Sequence, residues 1–203
     1  MLAVLDYGIG NLRSAQKALQ HVGADARLVS DPAAAADASG VVLPGVGAFG
    51  RCASALRDSG LERAARQAID DGRPFLGICV GFQLLYDGSD EAPGVPGLGV
   101  LRGMVRALGP GVKRPQMQWN VLERRPGIDS GLLAGLPEDP WVYFVHSFAP
   151  EQTDDTTATC DYGGPVVAAA ERGAVWGTQF HPEKSGHAGL AVLTNFVRLA
   201  EGD

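Results

Sequence analysis

Residues 74 to 85 read Pro-Phe-Leu-Gly-Ile-Cys-Val-Gly-Phe-Gln-Leu-Leu, an apolar run, a cysteine framed by glycines and a second apolar run. The first run has strand composition and the second has helical spacing, so Cys79 falls on the turn between a strand and a helix. Gly77 and Gly81 stand two residues to either side, where a tight turn leaves no room for a side chain against neighbouring backbone. The turn exposes Cys79 at the carboxyl edge of a sheet and at a helix start, whose free N–H groups favour the thiolate. This is the cysteine form of a nucleophile elbow, which requires an α/β architecture. A small buried cysteine filling a gap between strand and helix is the competing reading of the same residues.

The remaining pattern agrees with that architecture. Short apolar runs at 2–6, 27–30, 41–43 and 74–78 alternate with helix-period segments at 12–22, 53–71 and 82–86, which predicts a mostly parallel sheet with helices on its faces. Ala33 to Ala36 read as a short helix after Pro32. Beyond residue 98 strands and turns dominate, at 99–105, 121–123, 142–148, 157–161, 166–171 and 174–180, and these are expected to add antiparallel strands to the same sheet. A final helix over 188–200, with Leu190, Leu193 and Val197 on one face, closes the fold. The Gly/Pro/Asp-rich stretches 87–97 and 109–115 read as exposed loops, and no internal repeat is present.

At 203 residues the chain is expected to form one domain over 1–203. With 17 Lys+Arg against 23 Asp+Glu, a net charge of −6, its surface repels phosphate backbones and anionic lipid, so nucleic acid is not an expected partner. No apolar stretch approaches the roughly 18 residues of a membrane span, and the N-terminus lacks a secretory pattern, which points to the cytoplasm. Cys52, Cys79 and Cys160 form neither a disulfide framework nor a metal-ligand pattern, and nothing in the chain calls for a metal or other cofactor.

A partner for Cys79 follows the apolar run 175–180, where His181-Pro182-Glu183-Lys184-Ser185 leaves a strand end. In extended chain, positions i and i+2 lie on one side, so Glu183 can orient the His181 imidazole while Pro182 stiffens the link. Alone, His181 reads more readily as a hydrogen-bonded structural histidine. Taken with the elbow, the set supports acyl transfer to cysteine followed by hydrolysis. The glycine-rich loop Leu43-Pro44-Gly45-Val46-Gly47-Ala48-Phe49-Gly50 follows another strand and can be an ordinary strand-to-helix turn. It can also supply an oxyanion-hole N–H near Val46 and Gly47, with a second from Val80.

These elements together resemble the class I, triad-type glutamine amidotransferases. Asp6-Tyr7-Gly8-Ile9-Gly10-Asn11-Leu12, the 44–49 loop, Gly77-Ile78-Cys79-Val80-Gly81, Tyr143-Phe144-Val145-His146-Ser147 and Gln179-Phe180-His181-Pro182-Glu183-Lys184-Ser185 resemble, in order, the glutaminase subunits of imidazole glycerol phosphate synthase. The resemblance implies an α/β, open, mostly parallel (mixed) sheet with helices on both faces, a flavodoxin-like class I glutamine amidotransferase fold. It implies Cys79 as nucleophile, His181 as acid and base, and Glu183 as the orienting acid, with glutamine as substrate among Gly47, Gln83, His146 and Ser147. It further implies a heterodimer with a barrel-shaped cyclase subunit that takes the ammonia, docked near Asn11, Trp119 and Lys184.

Three positions depart from the family pattern. Gln116 and Gln118 stand where a histidine and a glycine are usual, which puts the docking surface in question, and Ala149 stands where an aromatic is usual near the glutamine pocket. Other readings of the chain are a glutaminase serving a different synthase, a small peptidase of the same elbow type, and a docking subunit without activity. A dinucleotide-binding module, suggested by Gly8-Ile9-Gly10, fails at its third glycine, where Arg13 stands.

Overall fold

The computed structural model describes residues 1–202. The first half winds as β1 (Leu2–Leu5), α1 (Leu12–His21), β2 (Ala26–Val29), α2 (Pro32–Ala36), β3 (Gly40–Gly45), α3 (Phe49–Asp58), α4 (Leu61–Asp70), β4 (Phe75–Cys79) and the single turn α5 (Val80–Gln83). The second half adds β5 (Gly88–Ser89), β6 (Met104–Ala107), β7 (Gln116–Val121), β8 (Glu123–Arg124), β9 (Trp141–His146), β10 (Phe148–Pro150), β11 (Thr156–Asp161), β12 (Pro165–Arg172), β13 (Val175–Thr178) and α6 (Gly186–Glu201).

An eight-stranded sheet in the order β2-β1-β3-β4-β13-β12-β11-β8 forms the centre. The strands from β2 to β13 run parallel, and β12, β11 and β8 continue antiparallel. β1, β3, β4 and β13 are buried at every residue, as strands covered on both faces must be. Right-handed crossovers send the β1-to-β2 connection to one face and the β2-to-β3 and β3-to-β4 connections to the other. Accordingly α1 packs with α6, while α2 packs with α4. Leu12, Ala15 and Leu19 make the inward stripe of α1, and Val192, Leu193, Phe196 and Val197 that of α6, where Phe196 meets Trp176 edge-on.

Four local expectations change. The 53–71 segment is two helices, because Gly60 at φ 75° sits left-handed between them and turns the chain. The predicted 82–86 helix is a single turn that begins at Val80 and ends by Gln83. The predicted 99–105 strand is displaced to β6, which joins β10 and β5 in a separate three-stranded sheet. Residues 116–121 and 141–146 leave the main sheet altogether and pair as a two-stranded antiparallel ribbon, β7 with β9. The β11, β12 and β8 additions do extend the main sheet.

Candidate active site

The carboxyl ends of β3, β4 and β13 meet above the sheet, with Gly45 paired to Cys79 across β3 and β4. Cys79 is the one non-glycine residue among those described with positive φ, at 55°, and its ψ of −113° completes a strained turn. The surroundings enforce that strain. A Cβ at Gly81 would overlap the Leu43 carbonyl, one at Gly45 would lie 2.6 Å from the Gly81 nitrogen, and one at Gly77 would lie 2.8 Å from the Gly81 oxygen. Elbow and loop backbones therefore touch, which brings Gly47, Val80 and Cys79 to one cavity of about 380 Å³.

The loop is braced from beneath. Tyr7 Oη donates to the Pro44 carbonyl at 2.6 Å, and Cys52 Sγ donates to the Val46 carbonyl at 3.3 Å. Burial pushes the Cys52 thiol up, which keeps it a donor. A trans peptide sets C=O and N–H on opposite sides, so tying the Val46 carbonyl to Cys52 turns the Gly47 N–H the other way. The first N–H groups of α5, beginning at Val80, have no partner within their own helix.

His181 arrives at the end of β13, with its N–H on the Tyr143 carbonyl at 3.0 Å and its carbonyl accepting from Ser185 Oγ at 2.6 Å. Its Nδ1 lies 2.7 Å from Glu183 Oε1, and both side chains are buried. The two meet as expected but by a different route: Pro182–Lys184 form a 3-10 turn rather than extended chain, and Pro182 opens it. His181 Nε2 has no hydrogen-bond partner and is left beside Cys79 on the cavity wall. Burial by itself lowers the imidazole pKa, yet the neighbouring Cys79 sulfur and the Glu183 carboxylate outweigh it and hold His181 up at about 10.

Gln83, His146 and Ser147 also line the cavity. Gln83 does not offer its NH2 to the cavity, since Nε2 is taken by the Phe148 carbonyl at 2.9 Å and Gln179 Oε1 at 3.0 Å. His146 is buried, with Nδ1 2.9 Å from the same Phe148 carbonyl. That carbonyl only accepts, so Nδ1 carries the hydrogen and the lone pair of Nε2 is the free one. Burial pushes His146 down to about 4, helped by the charge of His181 and opposed by the Phe148 bond, so it is neutral at pH 7.

Sequence reading missed Glu91, the one carboxylate among the cavity-lining residues, whose Oε2 accepts the Phe49 N–H at 2.8 Å. It lies in a loop whose conformation no local pattern specifies. Gln179 was also missed, although a glutamine inside an apolar strand end is a signal in itself. Ala149 is buried in β10, paired with Arg106, and is not among the residues that line the cavity. Gln116 is buried against Cys160 Sγ at 3.6 Å, while Gln118 is exposed on the ribbon.

Asn11 and Lys184 are exposed, and Trp119 is 47% exposed. Trp119 packs edge-on to Tyr143, whose N–H is bound by Ser185 Oγ, and α1, immediately after Asn11, packs on the Pro182–Lys184 turn. Trp119 and α1 are thus linked to the segment that carries His181 and Glu183, and Lys184 belongs to it.

Comparisons with known proteins agree with this geometry. The class-I glutamine amidotransferase family model matches residues 3–200. The imidazole glycerol phosphate synthase subunit HisH of Symbiobacterium thermophilum is 48% identical over 200 residues, covering 98% of this chain and 93% of that protein. Its counterpart in Methanothermobacter thermautotrophicus is 49% identical over 200 residues and 98% of both. Among solved structures, a glutamine amidotransferase crystal structure superposes with a TM-score of 0.78 at 22% identity over 98% of both chains. PurLQS from Thermotoga maritima gives 0.75 at 22% identity over 97% of both. The chain belongs to the class I glutamine amidotransferases, in the branch of the HisH subunit of imidazole glycerol phosphate synthase.

Proposed function

We propose that this chain, as one domain over 1–203, hydrolyses glutamine to glutamate and ammonia through a Cys79 thioester, and hands the ammonia to a cyclase subunit that builds imidazole glycerol phosphate. The observation that carries the chemistry is the strained Cys79 beside the unpartnered Nε2 of a His181 held by Glu183. The Cys79 sulfur attacks the side-chain amide carbon, a C–S bond forms, and the negative charge moves to the former carbonyl oxygen. The N–H groups of Gly47 and Val80 receive that oxyanion, and losing one such donor costs about 3 kcal/mol of transition-state stabilisation. The His181 imidazolium protonates the amide nitrogen as the C–N bond breaks and ammonia leaves. Neutral His181 then takes a proton from water, hydroxide attacks the thioester carbon, the C–S bond breaks, and glutamate leaves with the thiolate restored.

Recognition follows from the remaining wall. Ser147 and the free oxygen of Gln83 bind the head group, Glu91 faces its ammonium, and the Nε2 lone pair of His146 suits an N–H donor. Ammonia released into bulk water would be protonated and lose its nucleophilicity, so the partner must cover the cavity mouth. The β7–β9 ribbon is suited to hold such a cover, because Met117, Trp119, Trp141, Tyr143 and Val145 share one face by register, and Val145 reaches the cavity. Asn11 and Lys184, both exposed, join it in this reading. Three free cysteines accord with a reducing cytoplasm, and no helix among the described residues is long and apolar enough to cross a membrane.

The test is glutamate release from glutamine, with and without the cyclase and its phosphoribulosyl ligand. Cys79→Ala is expected to abolish release while leaving the fold, cyclase binding and ammonia-dependent synthesis intact. Near wild-type release from that variant would overturn the nucleophile assignment, and a lack of response to the cyclase would redirect the partner to another synthase.

A further inference from the structure

A run of hydrogen bonds with a forced direction begins at the substrate wall and ends on the nucleophile. The Phe148 carbonyl can only accept, and it takes one bond from His146 Nδ1 and one from Gln83 Nε2, each at 2.9 Å. The second hydrogen of Gln83 Nε2 goes to Gln179 Oε1 at 3.0 Å. With both hydrogens of Gln83 committed, Gln179 can present only its oxygen to Gln83. Its NH2 must then turn to the opposite side, where Cys79 Sγ lies at 3.8 Å. The flipped amide would set the two NH2 groups against each other and leave the second Gln83 hydrogen without its acceptor. Gln179 is fully buried, and its backbone N–H is fixed on the Ala168 carbonyl at 2.8 Å.

We propose that Gln179 is a positioning residue for the reaction, donating an amide N–H to Cys79 Sγ in an orientation that the Phe148 carbonyl dictates through Gln83. The inference rests on Cys79 being the nucleophile. A thiol sulfur is a weak acceptor, and a donor at this distance adds little to it. A thiolate is a charged acceptor, and the same donor then matters more. Gln179 thus favours the two moments when the sulfur is anionic, before attack and as the leaving group in thioester hydrolysis, and is nearly indifferent to the thioester between them. Gln83 then acts in two directions. Its NH2 orders the nucleophile, and its oxygen remains for the substrate.

Two variants separate this role from simple packing, both measured in the complex with the cyclase. Gln179→Met removes the amide at similar volume. Gln179→Glu keeps an oxygen towards Gln83 and, in its ionised form, has no hydrogen for the sulfur. The readouts are the rate of Cys79 alkylation by iodoacetamide across pH, followed on the Cys79 peptide, and kcat and KM for glutamine. Both variants are expected to alkylate about fivefold to tenfold more slowly at pH 7, with the profile displaced to higher pH, a similar loss in kcat and an unchanged KM. Wild-type alkylation profiles in both would overturn the inference, including when kcat falls, because that pattern belongs to a structural residue. If Gln179→Met fails to fold, Gln179→Glu decides alone. Failure of the underlying reading shows separately, as glutamine hydrolysis that survives Cys79→Ala.

Discussion

His146 shows how one side chain can be read from its surroundings. Its Nδ1 hydrogen is fixed on an acceptor-only carbonyl, its Nε2 has no partner, and burial holds it down to about 4. In the unfolded chain a histidine takes its proton near pH 6.5. Between those values the unfolded state binds more protons, so this residue makes stability fall as pH drops from about 6.5 towards 4. The full loss is about 3 kcal/mol, complete once the pH is below both values. His181 acts in the opposite direction: held up at about 10, its charged form stabilises the fold fully below pH 6.5, and that contribution is lost as pH rises towards 10. His146→Gln should therefore flatten the acid limb of a urea-midpoint profile and leave the alkaline limb unchanged. An acid limb equal to that of the wild type would show that His146 is protonated without cost.

Among the elements, the elbow and the 43–50 loop divide their glycines by cause. Gly81 is required by packing, since its Cβ would overlap the Leu43 carbonyl; Gly47 has φ 88° and open space around it. Gly81→Ala is expected to cost about 3 kcal/mol in denaturant unfolding, because backbone on both sides must move. Gly47→Ala should cost only about 1 kcal/mol, the conformational penalty of a left-handed residue, yet lower kcat by displacing the oxyanion donor. Equal stability losses in the two variants would contradict this division. The glycine spacing around Cys79 was legible in the sequence because a strand-to-helix turn leaves few alternatives. The break at Gly60 was overlooked, although the apolar stripe slips there, with Leu56 and Leu61 five residues apart rather than three or four, and the left-handed φ makes the turn.

For the molecule as a whole, the main asymmetry is the β7–β9 ribbon, which stands apart from the main sheet and leaves Met117 61%, Trp119 47% and Trp141 55% exposed. Large apolar side chains gathered on one exposed face mark a surface meant for a partner. Trp141→Ser should weaken association with the cyclase by about 2 kcal/mol or more while changing stability by less than about 0.5 kcal/mol, measured by titration calorimetry and thermal melting. Unchanged affinity would place the docking face elsewhere. The sequence by itself determined the alternation of strands and helices, the elbow, and the pairing of His181 with Glu183, since each rests on spacing within a few residues, where chain geometry leaves little choice. Only the tertiary structure decided that residues 116–121 and 141–146 form a ribbon of their own, that Glu91 reaches the cavity, and that Gln179 turns its NH2 to Cys79. Those depend on contacts between segments far apart in the chain, 42 residues for Phe49 and Glu91 and 100 for Cys79 and Gln179, and local spacing carries no information about which distant surfaces meet.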